Sequence, residues 1–239
     1  MSNPNFDFDF DFEGLRDLHD SVNDLLHSPA TKLEIINHGN EKWAYEVSEA
    51  SLKMADSCAA AKDLLLVAKD HLQRLQSAFR RISATSTESD NAGNQFAPYR
   101  LPRKQLKKAI LKRIQSIKGV KNGYLATATE DDPKLALVVN LLNEVLVAIL
   151  FVVKSLSPLI STPNLQEGRS KPMEMFKQLR LTRVDSLIVW GKYDAAAIRS
   201  ALKRLEAVEV VVEDLEGELE QMFRRLIRTR ASLLNIINS

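Results

Sequence analysis

The strongest candidate for a binding site in the sequence is a basic segment between positions 96 and 128. It contains nine lysine and arginine residues and no aspartate or glutamate. Six of them at helical spacing form a predicted binding face: Arg103, Lys104, Lys107, Lys108, Lys112 and Arg113. A basic amphipathic helix can lie on an anionic membrane surface, bind an acidic protein or contact nucleic acid phosphates. Nucleic acid ranks last, because Tyr99 is the only aromatic residue in positions 99–121 that could stack on a base. An ordinary solvated face that complements the acidic residues of a neighbouring helix stays equally open.

Three polar residues, Asn140, Asn143 and Glu144, interrupt the most apolar stretch of the chain, and their spacing of three and four places them on one helical face. An enzyme that makes a small signalling molecule would need a polar pocket beside this patch. Leu135 to Val153 is also 19 residues long, close to the roughly 20 that cross a bilayer core. We favour a buried central helix, because heptad helices elsewhere in the chain can cover it. A membrane-anchored protein that uses this stretch is the alternative.

The remaining residue types give no catalytic or metal-binding pattern. The four histidines are dispersed without the paired spacing of a zinc helix, and no Gly-rich phosphate loop or GxSxG turn occurs. Cys58 is the single cysteine, so we expect a buried core residue and no internal disulfide. We therefore predict a non-enzymatic protein with no catalytic residues, no cofactor and no metal. Because no signal-peptide pattern is present, we expect a cytoplasmic location, with membrane association as the alternative.

Long helices are predicted to position these residues. Eight glycines and eight prolines cluster between periodic apolar segments, which favours an all-α fold. Apolar periodicity and proline positions predict helices over about 13–28, 41–82, 102–119, 133–157 and 194–237, with a short one around 173–179. The segments at 41–82 and 194–237 step by fours and threes, as coiled-coil seams do.

The predicted organisation is a single elongated helical bundle over residues 13–239, with two long coiled-coil-like helices and a buried apolar central helix. Flexible loops are predicted at about 83–98 and 158–171. Residues 1–12, which alternate phenylalanine with aspartate, are predicted to be a flexible acidic and aromatic tail. The seam of the last helix can pack within the chain or against a second copy, so we expect protein partners and consider a homo-oligomer through that seam.

Several stretches resemble a plant-specific family of helical proteins of unknown biochemical function, the BYPASS-like family. They are Gly14-Leu15 with Leu25-Leu26, EKW at 41–43, DSCAAAKDLLL at 56–66, LQSAFRR at 75–81, RKQLKKAI at 103–110 and FRRLIRTRASLLNI at 223–236. Together they span nearly the whole chain. The resemblance implies roles in root and shoot development and signalling, and it implies no catalytic residues. We therefore expect a regulatory or scaffold protein that acts through protein or membrane-surface contacts, with the 223–236 stretch serving in packing.

Overall fold

The computed structural model describes residues 10–37, 41–84, 100–124, 133–159 and 195–238. Within these ranges lie six helices and no strand, which confirms the predicted all-α class. The helices are α1 (Phe12–His27), α2 (Pro29–Asn37), α3 (Glu41–Ala84), α4 (Arg100–Tyr124), α5 (Pro133–Leu159) and α6 (Ala195–Ile237). Most of the predicted tail, most of the two predicted loops and the short helix predicted around 173–179 lie outside the described residues.

The observed helix boundaries lie within two residues of the prediction, except at α2 and at the end of α4, which continues to Tyr124 and does not stop at 119. Pro29 was expected to close the first helix, and α1 does end at His27, with Ser28 in an extended conformation (φ −64°, ψ 129°). Pro29 then begins α2, which the sequence analysis did not predict. The physical reason is that proline suits the first position of a helix, where its fixed φ is helical and no N–H is needed.

The backbone forms two compact units, and each contains part of α3, α4, α5 and α6. The described residues of the first unit are 63–84, 100–112, 153–159 and 195–215, and those of the second unit are 10–37, 41–62, 113–124, 133–152 and 216–238. The core of the first unit includes Leu72, Phe79, Leu106, Ile110 and Leu205. The core of the second unit includes Leu26, Met54, Ile117, Leu141 and Leu226.

In the second unit, Asp11 caps the start of α1. Its side chain accepts a hydrogen bond from the Gly14 backbone N–H at 2.8 Å, as an N-cap residue does. A Cβ at position 14 would collide with the Asp11 carboxylate, so glycine permits this close approach. The ring centroids of Phe10 and Phe12 lie 5.7 and 6.2 Å from that of Phe151 on α5. The last residues of the predicted tail therefore contact the apolar helix.

The predicted seam of α6 is confirmed as a core face. Its positions Ala201, Leu205, Val212, Leu215, Leu219, Met222, Leu226, Thr229, Leu233 and Ile236 are buried, and Val208 is half-buried. The chain itself covers the seam in each unit.

In the first unit, polar contacts join α3 to α6, and we call them the α3–α6 ladder. They are Lys69 to Glu213 (2.6 Å), Gln73 to Glu209 (2.6 Å), Gln76 to Glu209 (2.9 Å) and Arg80 to Glu206 (3.1 Å). Rising numbers on α3 meet falling numbers on α6, so the two helices are antiparallel in this unit. The hydrogen bond from Gln73, followed by that from Gln76, holds the pKa of the Glu209 carboxyl below its usual value.

In the second unit, ion pairs also join the helices. They are Arg16 with Glu218 (2.9 Å), Lys62 with Glu220 (2.8 Å), Arg230 with Glu49 (3.3 Å) and Arg225 with Asp20. The 223–236 stretch supplies two of these arginines, together with the buried Leu226, Leu233 and Ile236. Its expected role in packing is confirmed.

Candidate interaction surface on the basic helix

Helix α4 has one apolar side and one basic side. Leu106, Ile110 and Ile117 are buried and Ile114 is half-buried, which confirms the predicted apolar stripe. Side chains three and four positions apart share one side of a helix, so burying this stripe directs the opposite side to solvent. The sequence of α4 contains no acidic residue that could form an ion pair along the helix.

Six exposed residues of α4 in the first unit form what we call the lysine face, and they are Leu101, Lys104, Lys107, Lys108, Leu111 and Lys112. Among the residues that the structure describes, no carboxylate lies within 4.0 Å of any of its four lysines. Three of them, Lys104, Lys108 and Lys112, follow one another at intervals of four, so like charges are neighbours on the helix surface. The lysine face therefore carries positive charge that the described part of the chain does not neutralise.

Two leucines are exposed on the lysine face, Leu101 at the start of the helix and Leu111 among the lysines. The exposed fractions of Leu101 and Leu111 are 63% and 53%. Lys107 and Lys108 lie one helical turn before Leu111, and Lys112 follows it directly. The sequence analysis did not single out these leucines. Their position off the stripe of Leu106 and Ile110 was the signal that could have found them.

The two arginines of the predicted binding face are placed differently from the lysines. Arg103 is only 7% exposed, and its Nη1 atom has no hydrogen-bond partner. Burial lowers the pKa of its guanidinium. Arg113 is half-buried and lies in the second unit. Of the six predicted residues, the structure therefore exposes the four lysines and buries Arg103.

His71 is a buried neighbour of Arg103 in the first unit that sequence reasoning missed. Neither of its ring nitrogens has a hydrogen-bond partner. Burial, with smaller contributions from the charges of Arg103 and Arg74, lowers the pKa of His71 from 6.5 to about 4 against an opposing effect of Asp70. An imidazole in this environment is neutral at physiological pH. Arg103 and His71 are thus two buried polar side chains of the first unit that lie close enough to interact electrostatically.

The central polar patch lies on the solvent side of α5. Asn140 and Glu144 are exposed and Asn143 is half-buried. Exposed or half-buried positions recur along α5 at 140, 144, 147, 151 and 154, so the patch belongs to a narrow solvent stripe of a largely buried helix. The enzymatic alternative required a closed pocket around the Glu144 carboxylate. An exposed Glu144 does not meet that requirement.

The same helix is the one described helix that is long and apolar enough to cross a membrane. The candidate span is Ala136–Leu156, with a mean hydropathy of 2.5 over its best window and half of that window buried inside the protein. Buried core helices satisfy the same criterion of length and composition. Burial of residues such as Val138, Leu142 and Ile149 agrees with the predicted central helix.

The described residues offer no metal site or reactive thiol. No group of three histidine, cysteine, aspartate or glutamate side chains among them is placed to hold a metal ion. Cys58 is buried as expected, and burial raises the pKa of its thiol to about 12. A thiol with that pKa is protonated at neutral pH and does not act as a nucleophile.

Comparison with known proteins places nearly the whole chain in one protein family. A family model described as Protein BPS1 matches residues 11–236. No curated protein matches the chain. No solved structure matches it either.

Proposed function

The chain belongs to the family described as Protein BPS1, and on that ground we propose that it is a non-enzymatic regulatory or scaffold protein in plant root and shoot development and signalling. It acts through contacts of the lysine face with an acidic protein or an anionic membrane surface. Family membership supports the developmental role. The contact surface rests on the charge of α4.

A single observation carries this proposal. The four lysines of the lysine face are exposed without a carboxylate partner among the described residues, whereas the α3–α6 ladder of the same unit pairs its ions. Like charges four residues apart on a helix destabilise it by a few tenths of a kcal/mol per pair. Lys104, Lys108 and Lys112 therefore cost stability and gain nothing from the described fold. Binding of a negatively charged partner would account for these three lysines.

The experiment is complementation of a plant that lacks this protein. The variant Lys107→Glu/Lys108→Glu is expected to fail to restore root and shoot development, because it inverts the charge at the centre of the lysine face. The matched control is Lys154→Glu/Lys203→Glu, which makes the same charge change at two exposed lysines of the first unit outside α4. It is expected to complement fully. Normal development with both variants would refute a role of the lysine face.

A membrane-anchored protein is the second candidate, and the apolar Ala136–Leu156 segment favours it. An integral span stays with membranes through high salt and alkaline carbonate, because apolar burial in lipid does not depend on surface charge. Contact through the lysine face is released by salt, because mobile ions screen exposed charges beyond about 8 Å. Sequential washes of plant membranes distinguish the two candidates. Resistance to both washes would favour the anchor.

A further inference from the structure

The side-chain types of the lysine face indicate which negatively charged surface it fits. Its cations are all lysines, whose compact and strongly hydrated charge lacks the planar fork with which arginine binds a carboxylate. It contains no aromatic residue. Protein interfaces are enriched in arginine and aromatic residues and depleted in lysine. The composition therefore fits a diffuse anionic surface better than the defined site of a protein partner.

The exposed leucines also favour an anionic bilayer surface over the defined site of a protein partner. Leu111 is 53% exposed with lysines on the preceding turn, and Leu101 is 63% exposed at the start of the helix. In water such side chains gain nothing from exposure. On a bilayer, a basic amphipathic helix keeps its charges at the headgroups and buries its apolar side chains at the acyl boundary. Lysine stems also extend along apolar surface while their ammonium groups stay in water.

We propose that the lysine face binds the surface of anionic lipid bilayers, with Leu101 and Leu111 entering the interface below the headgroups. This inference rests on the proposed use of the lysine face and names its partner. Each lysine at an anionic bilayer surface strengthens binding roughly fivefold. Partial burial of one leucine adds a further factor of about five. Binding is therefore peripheral, reversible and weakened by salt.

The test is co-sedimentation of the full-length protein with vesicles of phosphatidylcholine alone or of phosphatidylcholine mixed with phosphatidylserine. The protein is expected to bind the phosphatidylserine vesicles, and to release them as sodium chloride rises. Lys107→Glu/Lys108→Glu loses two attractive charges and gains two repulsive ones, so its binding is expected to fall at least about 25-fold. Lys154→Glu/Lys203→Glu, with the same net charge, is expected to keep most of its binding. Circular dichroism confirms that each variant retains its helices.

Leucine variants distinguish a bilayer from an acidic protein. Leu111→Ser keeps every charge and is expected to bind phosphatidylserine vesicles about fivefold more weakly, with unchanged binding to soluble polyglutamate. Leu66→Ser is the matched control, because Leu66 is 46% exposed on α3 of the same unit. Equal vesicle binding by the Leu111 and Leu66 variants would overturn leucine insertion.

Failure of this inference can be told apart from failure of the proposed function. Wild-type protein that binds polyglutamate but not phosphatidylserine vesicles would overturn the bilayer as partner, while the lysine face would keep its role toward an acidic protein. Vesicle binding that survives Lys107→Glu/Lys108→Glu would overturn the assignment of the bilayer site to this face. Normal plant development with that variant would refute the proposed function itself, whatever the vesicles show.

Discussion

Two lines of charge in the first unit have the same local pattern and different surroundings. On α6, Glu206, Glu209 and Glu213 recur at intervals of three and four, and each accepts from a side chain of α3 at 3.1 Å or less. On α4, three lysines of the lysine face recur at intervals of four, and no described carboxylate comes within 4.0 Å of them. The periodicity is thus shared, and the difference lies in what the fold brings opposite each helix.

This contrast separates charges that specify the fold from charges that are available to a partner. The ladder joins α3 to α6 in one antiparallel register, and a buried amide, Gln76, depends on it. The described fold does not use the lysine face in this way. Disrupting the ladder should therefore lower the free energy of unfolding, whereas reversing the lysine face should change binding without loss of stability.

Lowering the pH should give the largest change in the free energy of unfolding, because it favours protonation of buried histidines. The lysines of the lysine face stay charged at the same pH. His19 and His71 are buried without hydrogen-bond partners, and burial, with a further contribution from Arg225 or Arg103 respectively, lowers the pKa of each from 6.5 to about 4. The unfolded chain therefore binds more protons between about pH 6.5 and 4. The free energy of unfolding is fully present above that window and is lost as the pH falls through it, by about 3 kcal/mol for each histidine.

Urea unfolding at a series of pH values measures this loss. His19→Leu and His71→Leu are each expected to remove about half of the pH dependence above about pH 5, because each eliminates one buried proton acceptor and carboxyl groups such as Glu209 contribute only at lower pH. Asp20, Asp70 and Arg74 also influence these imidazoles and stay in place in both variants. A free energy of unfolding that is constant from pH 7 to 4 would contradict the prediction.

Breaking the ladder at its centre should give the next largest effect. Glu209→Lys removes the acceptor of both Gln73 and Gln76 and puts a cation near Lys69 and Arg80. Leaving the buried Gln76 amide without a partner, together with the new repulsion, is expected to lower the free energy of unfolding by about 2–4 kcal/mol. Urea denaturation at neutral pH measures the change.

Glu209→Gln is the control for this variant. It keeps a carbonyl oxygen that can accept from one of the two glutamines, so its loss should be about half as large. Lys108→Glu provides the comparison on α4, since it is also a charge reversal but at an exposed position without a carboxylate partner among the described residues. If Glu209→Lys destabilised the protein no more than Lys108→Glu, the distinction between paired and unpaired faces would fail.

Periodicity predicted the packing faces of this protein because it reports directly on which side of a helix is apolar. The buried stripe of α4 at Leu106 and Ile110 and the seam of α6 were both found in this way. The partners of the charges could not be found from the sequence. An ordinary solvated role for the lysine face assumed acidic residues of α3 opposite it, but α6 supplies the glutamates that pair with α3 in the first unit. The register and orientation of the helices decide which charges pair, and neither can be predicted from the sequence of a single helix.

Arg103 shows the limit of reasoning from charge alone. It was grouped with the lysines because it belongs to the same basic run, yet its place three residues before Leu106 and seven before Ile110 puts it on the apolar side of α4. The structure buries it. A cation is usually exposed because desolvating it is costly, so the general expectation outweighed the helical position. Helical position was the better guide here.

Reversing the lysine face should give the smallest change in stability. Glutamate at 108 replaces repulsion from Lys104 and Lys112 with attraction, which removes two unfavourable pairs and adds two favourable ones. Lys107→Glu/Lys108→Glu should therefore raise the free energy of unfolding by about 1 kcal/mol. Urea unfolding of this variant beside Lys154→Glu/Lys203→Glu measures the difference. A loss of several kcal/mol specific to the first variant would mean that the chain itself neutralises these lysines. The two faces would then be equivalent, and the vesicle and complementation results would report on stability and not on contact with a partner.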